Sequence, residues 1–273
     1  MKSTLALIVT MGLTSNLFAQ YSLEVWPYDK PAVKQREVIP KRYTREASVR
    51  YHKRVHRIID VREKKNLPMQ WPKSSFAEVL YNAVMGPDPI PAYHSDSLDY
   101  GSTISRYQII DKFSYIQDIE LEDSFGYAYD TSIVISLETE DIKKFRIMED
   151  WIFDHNYSDF RPHIIAIAPL FEQNVAGGIS IGESSLFWVK MEDLRRTLVH
   201  REIFNPFNQA ARLSYDDWFT MRLFSSYVIK ESNFWNTDLK YYEEHEDNPM
   251  SALLEGEAIE NNLFIVEHDL WEY

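Results

Sequence analysis

No cysteine occurs anywhere in the 273 residues. That absence removes disulfides, zinc–thiolate centres, cysteine nucleophiles and any thiol for a lipid anchor, so packing alone must hold the fold. Long apolar runs are missing too: Ile164–Ala168 and Leu263–Val266 have the length of core elements, well below the roughly 20 residues that cross a bilayer. No low-complexity segment is present, and the similarity of Arg57–Asp60 to Arg146–Glu149 is too short to make a repeat. There is no G-x-S-x-G and no H-E-x-x-H. The pair Gly177 and Gly178 lies in a turn-rich stretch, Asn174–Gly182, with no helix N-terminus after it to receive an anion, so it reads as a hairpin turn. What is present is a chain that is 45% apolar and 14% aromatic, enough to bury a large core as one domain or two small ones.

The N-terminus has the form of a secretory signal over residues 1–19. Lys2 supplies the positive end, Leu5–Leu13 the short apolar run, and Leu17–Ala19 the small-residue cleavage site, so the mature chain is expected to begin near Gln20 and to be soluble. Charge is divided unevenly along the rest: Gln20–Lys73 carries a net +8 and Ser74 onward a net −22, within a total of −13. A basic segment can meet nucleic acid or anionic lipid, but export argues against the first and an acidic body opposes wrapping on any polyanion, so a protein surface is the better partner. Residues 20–47, with Pro27, Pro31 and Pro40 and no sustained period, read as an extended basic arm ahead of a body spanning 48–273. Trp26 and Tyr28 are its candidate anchors, and Arg36 and Arg42 its candidate charged contacts.

In the body, Val55, Ile58, Ile59 and the stem of Arg62 are spaced as on a helix over about Ser48–Asn66, ending at Leu67 and Pro68. A second helix is expected over Ser75–Met85, with Phe76, Val79, Leu80, Ala83 and Val84 buried and Gly86–Pro87 as its stop; the two helices would pack as a pair. Ile90–Tyr93, Gln108–Ile110 and Ile133–Leu137 are short strand candidates. Phe145, Ile147, Trp151 and Phe153 alternate with charged residues as in a half-buried strand, followed by strands at Pro162–Leu170 and Leu186–Met191 in an antiparallel meander. Ser214–Asp217 has the form of a capping box opening a helix through Trp218, Met221, Phe224 and Val228, and Pro249 opens the last helix. The fold class is α+β: an antiparallel sheet packed with helices from both ends of the chain, after an extended N-terminal arm.

Candidate chemistry is sparse. His52 and His56 stand four apart on the expected helix, as in half a zinc site, but a third ligand is lacking and Lys53, Arg54 and Arg57 surround them. The run Glu243–Asp247 lacks the alternating ligands of a calcium loop. Glu149/Asp150 and Asp216/Asp217 are adjacent, so on a strand they diverge and on a helix they cap, whereas acid–base work needs them facing across a cleft. The ending, Glu267–Tyr273, reads as a docked tail with Trp271 as anchor. No catalytic residue, cofactor or metal is therefore assigned.

Several segments taken in order are similar to the GldN/PorN family: Arg54–Asn66 (RVHRIIDVREKKN), Glu149–Asp154 (EDWIFD), Leu186–Val189 (LFWV), Phe224–Asn233 (FSSYVIKESN), Glu255–Glu257 (EGE) and Glu267–Tyr273 (EHDLWEY). The resemblance implies a non-enzymatic periplasmic component of type IX secretion and gliding motility. It further implies a large ring built with the outer-membrane lipoprotein GldK/PorK, contact between neighbouring copies, and communication with the inner-membrane motor through GldM/PorM. His56 departs from that resemblance, since a bulky aromatic is expected there.

Overall fold

A computed structural model of the chain describes residues 36–94, 103–122, 128–136, 138–175, 179–242, 244–245 and 248–270. The first long element is a strand, β1 (Val49–Asp60), where a helix was expected. It pairs antiparallel with a later strand along its whole length, from Val49 opposite Asp154 to Asp60 opposite Lys144. Its residues alternate between faces, and the alternation was hidden because Arg57, only 3% exposed, occupies a core-side position. Arg57 is accommodated by donating to Ser226 Oγ at 2.8 Å, Ser226 O at 3.2 Å and Glu260 Oε1 at 2.9 Å. Main-chain pairing along eleven positions overrides a helical spacing of three apolar residues. The expected helix pair therefore does not exist.

The second expected helix does: α1 spans Phe76–Met85, is capped by Ser75 Oγ accepting from Glu78 N, and buries Phe76, Ala77, Val79, Leu80, Ala83 and Val84. Gly86 ends it by necessity, because a Cβ there would lie 2.4 Å from the Asn82 carbonyl oxygen. Next come β2 (Ala92–Tyr93) and α2 (Arg106–Lys112). The strand expected at Gln108–Ile110 is thus helical, opened by a capping box of Ser105 and Gln108 that outweighs three β-compatible residues. β3 (Ser114–Glu122) and β4 (Ala128–Ser136) form a separate two-stranded hairpin.

β5 (Lys144–Asp154), β6 (Asp159–Val175) and β8 (Trp188–Lys190) form the expected antiparallel run, while β7 (Ile179–Ser185), which pairs back on β6, is a strand where part of the Asn174–Gly182 turn was expected; Gly177 and Gly178 lie outside the described residues. Met191 leaves the strand to begin α3 (Met191–Leu198), a helix not expected from the sequence. β9 (Glu202–Ile203) and β10 (Leu213–Ser214) make a short pair, and α4 (Tyr215–Thr220) starts at the expected Ser214–Asp217 capping box. It ends early: Arg222 adopts φ 52°, and Val228 lies on β11 (Tyr227–Glu231) instead. The last helix, α5 (Pro249–Asp269), is capped by Asn248 with Pro249 in its first turn.

The main sheet has the order β11-β1-β5-β6-β8-β2, with β7 paired to β6. One face receives the helices. Phe76 of α1 lies 4.8 Å from Phe145 of β5 and 5.1 Å from Phe219 of α4 between ring centroids, and 5.3 Å from Tyr215. On the same side α5 packs Ile259 and Leu263 against Val55, Val228 and Phe160. The opposite face mixes Met148, Ala166, Ala168 and Trp188 with charged side chains from β1 and β5.

Candidate functional site

β5 sends its neighbouring carboxylates to opposite faces. Glu149 is fully buried on the helix-covered side and is gripped by Arg222, Nη1 to Oε1 at 2.6 Å and Nη2 to Oε2 at 3.2 Å. Asp150 faces the other way, where Arg54 donates to both its oxygens at 2.6 and 2.8 Å and His52 Nε2 lies 3.3 Å away. Burial alone would raise the Asp150 carboxyl, but the Arg54 bonds and the His52 contact hold it below its ordinary value. The two acids share no cleft.

His52 and His56 are four residues apart on a strand, which sets their Cα atoms about 13 Å from each other, too far to share an ion. Arg54 stands between them on the same face. The His56 ring makes an edge contact with Trp188 at 6.2 Å, and its Nδ1 is buried with no hydrogen-bond partner. Burial first, then the charges of Arg146, Lys230 and Arg54, push its pKa down to about 3. Among the described residues no group of three or more His, Asp and Glu side chains is placed to hold a metal. His245 is bonded to Ser251 Oγ at 2.6 Å through Nδ1; Glu243, Glu246 and Asp247 lie outside the described residues.

A cleft of about 570 Å³ runs beneath residues 39–44 and is lined by Arg195, Asp216, His163 and Arg222. Arg195 and Asp216 form a buried two-bond pair, Nε to Oδ1 at 2.7 Å and Nη2 to Oδ2 at 2.9 Å. Asp217 completes the helix cap and also pairs with Arg36. Burial, and then the Lys41 ammonium, lower the pKa of His163. The acids Asp159, Asp216 and Asp217 along this cleft are engaged by guanidinium groups, an arrangement that fastens elements together.

Of the expected partner-binding residues, Arg36 donates to Asp217 and, at 2.8 Å, to Arg212 O. Arg42 pairs with Asp159 at 3.0 Å and stacks 3.6 Å over the Tyr157 ring. Both therefore lie on the acidic body of their own chain. Trp26, Tyr28 and Trp271 lie outside the described residues, while Leu270 packs against the α5 cluster. The Arg195–Asp216 and Arg222–Glu149 pairs escaped the sequence reading, because pairs 21 and 73 residues apart leave no local signal.

These features define an α+β scaffold whose charged side chains tie strand to helix and N-terminal segment to body. Among the described residues no helix is long and apolar enough to cross a membrane. The family described as Gliding motility associated protein GldN matches residues 44–272, and the chain belongs to it. It is accordingly a component of the gliding-motility and type IX secretion machinery. No curated protein matches the chain.

Proposed function

We propose that the chain is a non-enzymatic structural subunit of that machinery, exported by residues 1–19 and assembling in the periplasm into a large ring with the lipoprotein GldK/PorK at the inner face of the outer membrane. The ring is linked in turn to the GldM/PorM motor complex. Family membership over residues 44–272 is the observation that carries this reading. The fastening of Glu149, Asp150, Asp216 and Asp217 to arginines agrees with a structural role. In this reading the arm uses Trp26 and Tyr28 to contact a neighbouring copy or GldK, with the Arg36 and Arg42 segment as its root on the body, and Trp271 anchors a contact at the other end of the chain. The test is co-purification of the full-length chain with GldK followed by imaging. A ring-shaped particle containing both proteins supports the reading; a chain that stays monomeric beside GldK overturns it.

A further inference from the structure

β11 leads into an uncharged loop, Ser232–Thr237 (SNFWNT), that is braced from within and displays its two largest side chains to solvent. Ser232 fixes its start to β1, with N donating to Arg54 O at 2.8 Å and Oγ to the same oxygen at 3.1 Å. Asn233 spans it: Nδ2 donates to Glu231 O at 3.1 Å and Thr237 O at 2.8 Å, and Oδ1 accepts from Thr237 N at 3.0 Å. Lys230 Nζ donates to Asn236 O at 2.6 Å, and Asn236 takes the left-handed conformation, φ 55°, that asparagine tolerates. On this frame Phe234 is 94% exposed and Trp235 is 77% exposed, their centroids 5.8 Å apart with planes at 89°.

A loop that needed only to turn would carry small polar residues at its tip. Two aromatics, each able to bury about 150–250 Å², amount together to roughly half of one partner's share of an ordinary interface. Because the loop is held by its own bonds, ordering it on binding costs little, the condition under which aromatic side chains act as anchors. The chemistry of the partner follows from charge and shape. The charges at the two ends of the loop are engaged inside the chain, Glu231 with Lys53 at 3.1 Å and Asp238 with Arg146 at 2.7 Å. With a net charge of −13, the chain gains no attraction to an anionic lipid surface. The perpendicular rings make a wedge and not the flat platform on which a sugar stacks.

We propose that Phe234 and Trp235 form a preorganised aromatic wedge that inserts into an apolar, uncharged pocket of a partner protein in the assembly. This rests on the reading of the chain as an assembly subunit. The experiment compares full-length wild type with Phe234→Ser/Trp235→Ser and with Trp235→Ser in cells, reading the fraction of chain that sediments with the large particle. Benzoylphenylalanine at position 234 gives a light-dependent adduct in parallel. The expected result is an unchanged melting temperature, incorporation weakened about thirty-fold for the double variant, and a discrete protein adduct. Incorporation equal to wild type, or a residue-234 adduct that contains lipid and no protein, overturns the proposal. So does binding of purified chain to phosphatidylethanolamine–phosphatidylglycerol vesicles that vanishes in the double variant. Blotting the particle for GldK is scored separately, so a particle without GldK defeats the ring reading while the wedge is still judged by incorporation.

Discussion

His56 is a titratable ring held against Trp188 with one buried nitrogen unbonded, and its protonation opposes folding directly. Its folded pKa of about 3 lies below the ordinary 6.5, so between those values the unfolded chain binds more protons than the folded one. Stability is therefore lost as pH falls from about 6.5 toward 3, with a slope of up to about 1.4 kcal/mol per pH unit from this group. His56→Phe should raise the melting temperature at pH 7 and flatten the acid limb, because it keeps the ring contact and removes the unpaired nitrogen. Urea titrations of both proteins at pH 7 and pH 5 test this; equal losses on acidification would refute it. Asp150 also loses stabilising contacts in acid, but it is common to both proteins and cancels in the comparison. A second residue-scale prediction concerns Glu149: Arg222→Ala leaves a fully buried carboxylate alone and should cost about 3–5 kcal/mol in chemical denaturation. Replacing Glu149 by Leu together with Arg222 by Leu should recover most of that loss. The sequence supplied the residue types at these sites and the divergence of Glu149 from Asp150; it did not supply their partners, which arrive from 73 and 96 residues away.

Helix α5 shows at the scale of an element how one residue sets a distance. A Cβ on Gly256 would lie 2.4 Å from the Val228 carbonyl oxygen of β11, so the helix can approach the strand only because that position is glycine. Helix propensity alone predicts that Gly256→Ala stabilises by about 1 kcal/mol. The contact predicts the reverse, a loss of about 1–3 kcal/mol as α5 is pushed off β11. The sign of the change in denaturation midpoint decides between them, and a stabilised variant would mean that the helix yields freely. The Glu255–Glu257 segment used for the family resemblance thus has a packing reason at its centre. Elements with local signals were legible: the start of α1 at Ser75, the Ser214–Asp217 capping box, Pro249 at the opening of α5, the alternation of β5, and the glycine stop of α1 all stand where the sequence places them. β1 was not, because its long pairing with β5 and its buried Arg57 are tertiary facts that local periodicity cannot carry. The wedge loop was equally hidden, since aromatic content looks the same in a core and on a surface until burial is known.

Across the whole molecule, the uneven charge along the chain becomes a contact: the basic segment from Arg36 lies on acids of the body. No residue from 36 to 47 is fully buried, and among the described residues no main-chain hydrogen bond ties 36–44 to the body. What holds the segment are Arg36 on Asp217 and Arg212 O, and Arg42 on Asp159 and Tyr157. Exposed pairs of this kind are worth about 0–1 kcal/mol each and weaken with salt. Arg36→Ala/Arg42→Ala should therefore lower stability by less than about 2 kcal/mol. It should also speed tryptic cleavage at Arg45 at low salt, and wild type should show the same fast cleavage at high salt. Salt-independent cleavage would mean that burial of stems, not charge, fixes the segment. The same weakness bears on assembly. If these charges contribute so little, affinity of the arm for a neighbour must come from Trp26, with the basic residues setting register and association rate. The comparison is particle formation with GldK by three full-length variants: one lacking residues 20–42, one with Trp26→Ala, and one with Arg36 and Arg42 neutralised. The expected order of damage is deletion, then Trp26→Ala, then neutralisation, with the last showing its defect mainly in the rate of assembly at low salt. A deletion variant that folds and assembles as stably as wild type would make the arm a passive leader, and neutralisation more damaging than Trp26→Ala would make the contact electrostatic after all.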